Sequence, residues 1–186
     1  MERLRRLDWM FERSPIYFIT ACTYERRQIL AQSFVNDGLV RFAESGPERG
    51  AWMGAYVVMP DHLHLFVALG EGDGRGPGLQ DSDGHRPPLK DGADGRRPPL
   101  QIGEWMKSLK NALSKTLRQN GVGAPHWQKG YFDHLLRSAE SYSEKWDYVR
   151  NNPVRAGLVG SWENWPWLGE PFPLWSIDGI GFNGWL

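Results

Sequence analysis

Trp52-Met53-Gly54-Ala55-Tyr56-Val57-Val58-Met59-Pro60-Asp61-His62-Leu63-His64-Leu65-Phe66-Val67-Ala68-Leu69 is the stretch on which the fold turns. Two apolar runs, 52–59 and 62–69, are parted only by Pro60-Asp61. Both have strand length and carry the β-branched and aromatic residues that suit a pleated surface. A parallel crossover needs a dozen or more residues, so this short connection makes the pair an antiparallel hairpin. Side chains two apart on a strand share a face, which sends His62 and His64 one way and Leu63, Leu65 and Val67 the other. The apolar set suits a core, and the two imidazoles are left on the opposite side, placed to share one metal ion.

Outward from the hairpin, residues 16–23 form a further β-branched and aromatic run after Pro15 and read as a strand. Over residues 33–48, Phe34, Val35, Leu39, Phe42 and Ala43 recur at helical spacing, with Ser33 as the candidate cap. Residues 102–119 repeat that pattern with Ile102, Trp105, Met106, Leu109, Ala112, Leu113 and Leu117. Residues 126–136 read as a fourth strand, and 139–151 as a third helix that must stop ahead of Pro153, because a residue before proline is pushed out of the helical region. Strand, helix, strand, strand, helix, strand and a closing helix is the order of an α+β, ferredoxin-like (RRM-like) sandwich. The expected sheet has four antiparallel strands, with helices on one face and the other face open to a ligand.

Residues 70–100 change character, filling with Gly, Pro, Asp and Arg. Gly84-His85-Arg86-Pro87-Pro88-Leu89-Lys90 returns as Gly95-Arg96-Arg97-Pro98-Pro99-Leu100-Gln101. Such a segment lacks the apolar residues to pay for ordering and reads as a disordered, repeat-expanded insertion. The expected organisation is one domain over 1–168, interrupted by 70–100, with 169–186 as a C-terminal tail. Trp162, Trp165, Trp167, Trp175 and Trp185 crowd the end of the chain, where burial is the default for so large a side chain.

Composition narrows the function. The chain has 186 residues, 40% hydrophobic and 24% charged, and no apolar run approaches the ~18 residues of a membrane span. Its start, Met1-Glu2-Arg3-Leu4-Arg5-Arg6, leads into polar sequence rather than a secretory core, so a cytoplasmic location without membrane contact is expected. Cys22 is the only cysteine, which excludes an intrachain disulfide and a cysteine zinc site. A net charge of zero argues against a protein that coats polyanions. A local basic groove could still form from Arg3, Arg5, Arg6, Arg26 and Arg27 with Lys107, Lys110, Lys115 and Arg118.

Two imidazoles are an incomplete shell, so a third protein ligand is expected, with positions left for water or phosphate oxygens. Asn152 is the first candidate, four residues beyond Tyr148 and so near the same side of the helix; Asn151 and Glu144 are lesser ones. Tyr148 is the candidate nucleophile, although Tyr131 and Tyr142 have equal claim on composition alone. A phenol needs help in that role, because free tyrosine titrates near pH ~10. Trp127 and Tyr131 are candidates for stacking on unpaired bases.

Four motifs in order carry a resemblance over residues 14–168: Val57-Val58-Met59-Pro60-Asp61-His62-Leu63-His64, Trp105-Met106-Lys107-Ser108-Leu109-Lys110, His126-Trp127-Gln128-Lys129-Gly130-Tyr131-Phe132-Asp133-His134, and Tyr148-Val149-Arg150-Asn151-Asn152-Pro153-Val154-Arg155-Ala156-Gly157-Leu158-Val159. The chain resembles the single-tyrosine HUH transposases, specifically the REP-associated tyrosine transposases. The resemblance implies an HUH nuclease fold, His62 and His64 as metal ligands, and Tyr148 as a nucleophile that leaves a 5′-phosphotyrosine link and a free 3′-hydroxyl. It also implies magnesium or manganese as cofactor and single-stranded DNA beside a short palindromic, REP-like hairpin as partner, in a monomer or a homodimer. The rival readings are a non-catalytic single-stranded nucleic-acid-binding protein on the same fold and a metal-dependent hydrolase working through water.

Overall fold

The computed structural model describes residues 16–70, 101–136 and 139–174. The predicted insertion beyond Gly70, the residues Arg3, Arg5 and Arg6, and the chain after Leu174 lie outside the described residues. Strand β1 is Ile16–Cys22, helix α1 Ser33–Glu44, β2 Ala51–Val58, β3 His62–Leu69, α2 Ile102–Gln119, β4 Phe132–Leu136, α3 Ala139–Arg150, α4 Asn152–Arg155 and β5 Leu168–Gly169. The sheet runs in the order β4-β1-β3-β2-β5, antiparallel throughout. Its first four positions are those expected of the ferredoxin-like sandwich, and β2 and β3 form the predicted hairpin. The expected four strands become five, because Leu168–Gly169 returns to pair with the outer edge of β2.

One face of the sheet is sealed as the periodicity requires. Ile19, Ala21, Met53, Val58, Leu63, Leu65 and Val67 pack against Val35, Leu39 and Phe42 of α1 and Trp105, Leu109 and Leu113 of α2. Phe42 and Trp105 meet edge to face at 5.7 Å. Helix α1 starts differently from its reading: Gln32, extended at φ −139°, is the cap residue, and Ser33 is already helical. It also ends four residues early, at Glu44. Pro47 has no N–H to continue the ladder, and Gly46 approaches the start of β2 so closely that a Cβ there would sit 2.3 Å from the Ala51 carbonyl oxygen.

The opposite face departs from expectation. Instead of lying open, Ile16, Phe18, Trp52, Ala55, Val57, Phe66 and Ala68 are covered by Tyr142 and Val149 of α3 and by Leu174. The covering chain is latched by backbone: the Val58 N–H donates to the Trp167 carbonyl at 2.8 Å and the Phe172 N–H to the Met53 carbonyl at 3.1 Å. The Trp165 indole donates to the Val58 carbonyl at 3.0 Å. Gly54 makes this possible, since a Cβ there would collide with Leu174 at 2.7 Å. The strand register slips between Met53 and Tyr56, as a bulge allows. What remains uncovered is the end of this face that carries His62 and His64.

The fourth strand is shorter than predicted. Residues 126–131 are irregular, joined to the end of β1 by an isolated bridge between Thr23 and Trp127 and by the Gln128 N–H donating to the Cys22 carbonyl at 3.0 Å. The cause lies in α2: the Lys110 ammonium donates to the carbonyls of Gln128 and Gly130, taking acceptors that a strand would use. Gly130 turns through a left-handed φ of 80°. Helix α3 stops at Arg150, as Pro153 demands, and α4 follows at once as a separate turn.

Candidate active site

β3 lies at the centre of the sheet, and its two histidines project from the incompletely covered face. Each ring is fixed through Nδ1. His62 Nδ1 lies 2.6 Å from Asp61 Oδ1, and His64 Nδ1 lies 2.8 Å from Thr20 Oγ1, its cross-strand partner on β1. In the tautomer whose Nδ1–H donates to these oxygens, Nε2 carries the lone pair. The rings stand 4.8 Å apart and nearly perpendicular, and Phe18 stacks on His64 at 5.5 Å. Burial, reinforced by the positive charges of His62, Arg155, Arg26 and Lys145, pushes the His64 pKa down to about 3. That ring is therefore neutral at physiological pH, the form in which imidazole binds metal.

Asp61 is shared. Its second oxygen lies 3.1 Å from Arg26 Nε, so that one carboxylate joins a guanidinium to His62. Arg26 also donates to Cys22 Sγ at 3.0 Å. The backbone reaches this arrangement through two successive left-handed residues, Glu25 at φ 50° and Arg26 at φ 56°, a conformation costing about 1–2 kcal/mol per non-glycine residue. Fully buried Thr23 supports the turn, its hydroxyl donating to the carbonyl of either Asp61 at 2.9 Å or Arg27 at 2.8 Å while its N–H donates to Asp61.

The other half of the site is on α3 and α4. Lys145 Nζ sits 5.3 Å over the Phe18 ring, the ring that stacks on His64. Tyr148 follows three residues later, one helical turn along, and is 61% exposed. The Arg155 guanidinium lies 3.8 Å above the Tyr148 ring and also donates to Asn152 Oδ1. The other tyrosines are differently placed. Tyr142 is buried in the second core, with its hydroxyl against Glu170 and the Ala55 N–H, and burial and Glu170 hold its pKa well above 10. Tyr131 is half-buried against the first core, its pKa raised by burial and Asp133.

The sequence-predicted residues fall into two layers. His62, His64 and Arg26 share the site with the helical segment bearing Tyr148 and Asn152. Lys107, Lys115 and Arg118 are exposed on α2, which packs on the opposite face of the sheet. Lys110 is committed to the 128–130 carbonyls, and Arg27 to those of Gly123 and Pro125 at 2.8 Å each. Trp127 spends its indole N–H on Lys110 O and Ser114 Oγ, and His126 is buried with Nε2 3.0 Å from the Val122 carbonyl. Asp61, Thr20, Lys145 and Arg155 went unnamed as site residues. Asp61 was legible as the neighbour of His62 and Lys145 as one turn before Tyr148, whereas Thr20 enters only through strand register.

Two imidazoles, each oriented by a hydrogen bond at its second nitrogen, fit one divalent ion. Among the described residues, no third His, Cys, Asp or Glu completes a metal-holding group with them. Asn152 is the nearby candidate, with its oxygen engaged by Arg155.

No family model matches the chain. It is similar to the REP-associated tyrosine transposase of Escherichia coli strain K12, with 24% identity over 153 residues, spanning 81% of this chain and 72% of that protein. A Haemophilus influenzae protein provisionally named for the same group is 23% identical over 157 residues, 84% of this chain and 80% of the relative. Among solved structures, a REP-associated tyrosine transposase bound to a REP hairpin superposes with a TM-score of 0.54 at 20% identity, covering 91% of this chain and 89% of the other. The resemblance carried by the four motifs is thus matched by named relatives, and the architecture by a solved fold. Among the described residues, no helix is long and apolar enough to cross a membrane.

Proposed function

We propose that this chain cuts and rejoins single-stranded DNA beside a hairpin, with Tyr148 as nucleophile and His62 and His64 holding a magnesium or manganese ion. The observation that carries the reading is the pair of Nδ1-anchored imidazoles on one sheet face, beside a helix that presents a cation and an exposed tyrosine. Asn152 is the proposed third ligand, and release of its oxygen from Arg155 would free it for that role. Bound there, the ion would polarise a phosphate oxygen and offset charge as it develops.

The chain's own groups supply the rest. Tyr148 Oη attacks the scissile phosphorus, the bond to O3′ breaks, and the departing 3′-oxygen takes up a proton while phosphate remains on the tyrosine. One phosphate ester is exchanged for another, so no external energy source is needed and the 3′-hydroxyl can reverse the step. Arg155, stacked on the Tyr148 ring, keeps a positive charge beside the reacting phosphate. Lys145 adds a second on the same side.

The test is incubation with manganese and an end-labelled DNA hairpin carrying single-stranded flanks, followed by a denaturing gel. A slow-migrating covalent adduct that vanishes with Tyr148→Phe is the expected result. Cleavage without adduct would transfer the chemistry to water, and tight binding without either product would leave a non-catalytic binding protein.

A further inference from the structure

We propose that Phe132 is the stacking platform for an unpaired base next to the scissile phosphate, and so a positioning residue for the strand to be cut. This rests on the reading of the site as a single-strand nuclease and adds the residue that seats its substrate. The sequence pointed to Trp127 and Tyr131 for stacking. The structure gives both to the packing around α2 and leaves Phe132 at 60% exposure, an aromatic nearly as open as Tyr148.

Strand register decides which face Phe132 occupies. It lies directly opposite Thr20 on β1, and Thr20 lies directly opposite His64 on β3. Residues directly opposite in an antiparallel pair project to the same side, and the Thr20–His64 hydrogen bond verifies that side. Phe132, Thr20 and His64 therefore form one row across three strands, with Phe132 about two strand spacings, about 10 Å, from the histidine. That is near the separation of a phosphate from a neighbouring base spread flat on the sheet. Farther along the same face Phe66 is roofed by Tyr142 and Trp146, so the exposed ring sits where the roof stops.

The surroundings fit a nucleic-acid strand. Lys145 over Phe18, Arg155 over Tyr148 and Arg26 beside Asp61 set three cations around the uncovered end. An exposed aromatic ring framed by positive charge suits a base with its phosphate, since every base has a π-face and stacking is tolerant of sequence.

The experiment places 2-aminopurine at successive positions of the single-stranded flank of a hairpin oligonucleotide and measures fluorescence with wild type, Phe132→Ala and Phe132→Trp. Wild type should quench one flank position strongly. Phe132→Ala should release that quench and weaken binding about 10- to 100-fold, while Phe132→Trp restores both; thermal midpoints should match, because the ring is exposed. If wild type binds and cleaves but Phe132→Ala quenches and binds equally well, the platform is elsewhere and the nuclease reading stands. If wild type neither binds nor cleaves single-stranded flanks, the nuclease reading falls and this assignment falls with it.

Discussion

The two halves of the candidate site are held in opposite ways. His62 and His64 sit on the central strand, each ring tied through Nδ1 to a partner that is itself anchored. Tyr148 sits near the end of a helix, largely in solvent, with an arginine laid over its ring and the helix interrupted at Asn151 just beyond. The difference teaches where precision and freedom are assigned. Ligands must be preorganised, because a loosely held imidazole loses metal affinity. A nucleophile that becomes covalently joined to DNA and is later released benefits from a mount that can shift.

The contrast can be broken by substitution. Tyr148→Phe should abolish the covalent adduct outright while changing stability by no more than about 0.5 kcal/mol, as for surface positions generally; a large loss in urea unfolding would show that the helix end is as rigid as the sheet. Leu65→Ala, one residue from His64 but turned into the first core, should cost about 2–5 kcal/mol in the same measurement. Thr20→Val keeps shape but leaves the His64 Nδ1–H without its acceptor, and should lower manganese affinity about 10- to 100-fold by titration calorimetry. Arg155→Ala, which frees the Asn152 oxygen, should leave that affinity undiminished and should reduce adduct formation. Smallest is the layer test: Lys145→Ala should reduce the slope of log affinity against log salt by about one. Lys107→Ala, on the far layer, should leave the slope unchanged.

Much of this architecture was legible because it depends on local period. The alternation of 62–69 gave both faces of β3, and the helical spacing of 102–119 gave α2 to the residue. What escaped depends on contacts between distant segments. β5 is two residues long and has no period to read. The covering of the second face needed Gly54 to admit Leu174, 120 positions away in sequence. β4 lost its first half to the Lys110 ammonium, whose charge in the sequence suggested a phosphate partner rather than two backbone carbonyls. In the site, the His-x-His pair was plain from spacing, but its support was split between the adjacent Asp61 and Thr20, 44 residues away.

The late return of residues 165–172 to the outer edge of β2 has a meaning for a chain still being made. Ribosomal synthesis delivers β2, with eight consecutive buried residues, long before its edge partner exists. Until that segment emerges, the nascent protein carries an unpaired apolar edge, the kind of surface on which chains aggregate. Translation that stalls between Leu69 and Trp165 therefore yields a product needing chaperone protection, and the emergence of residues 165–172 closes that exposure.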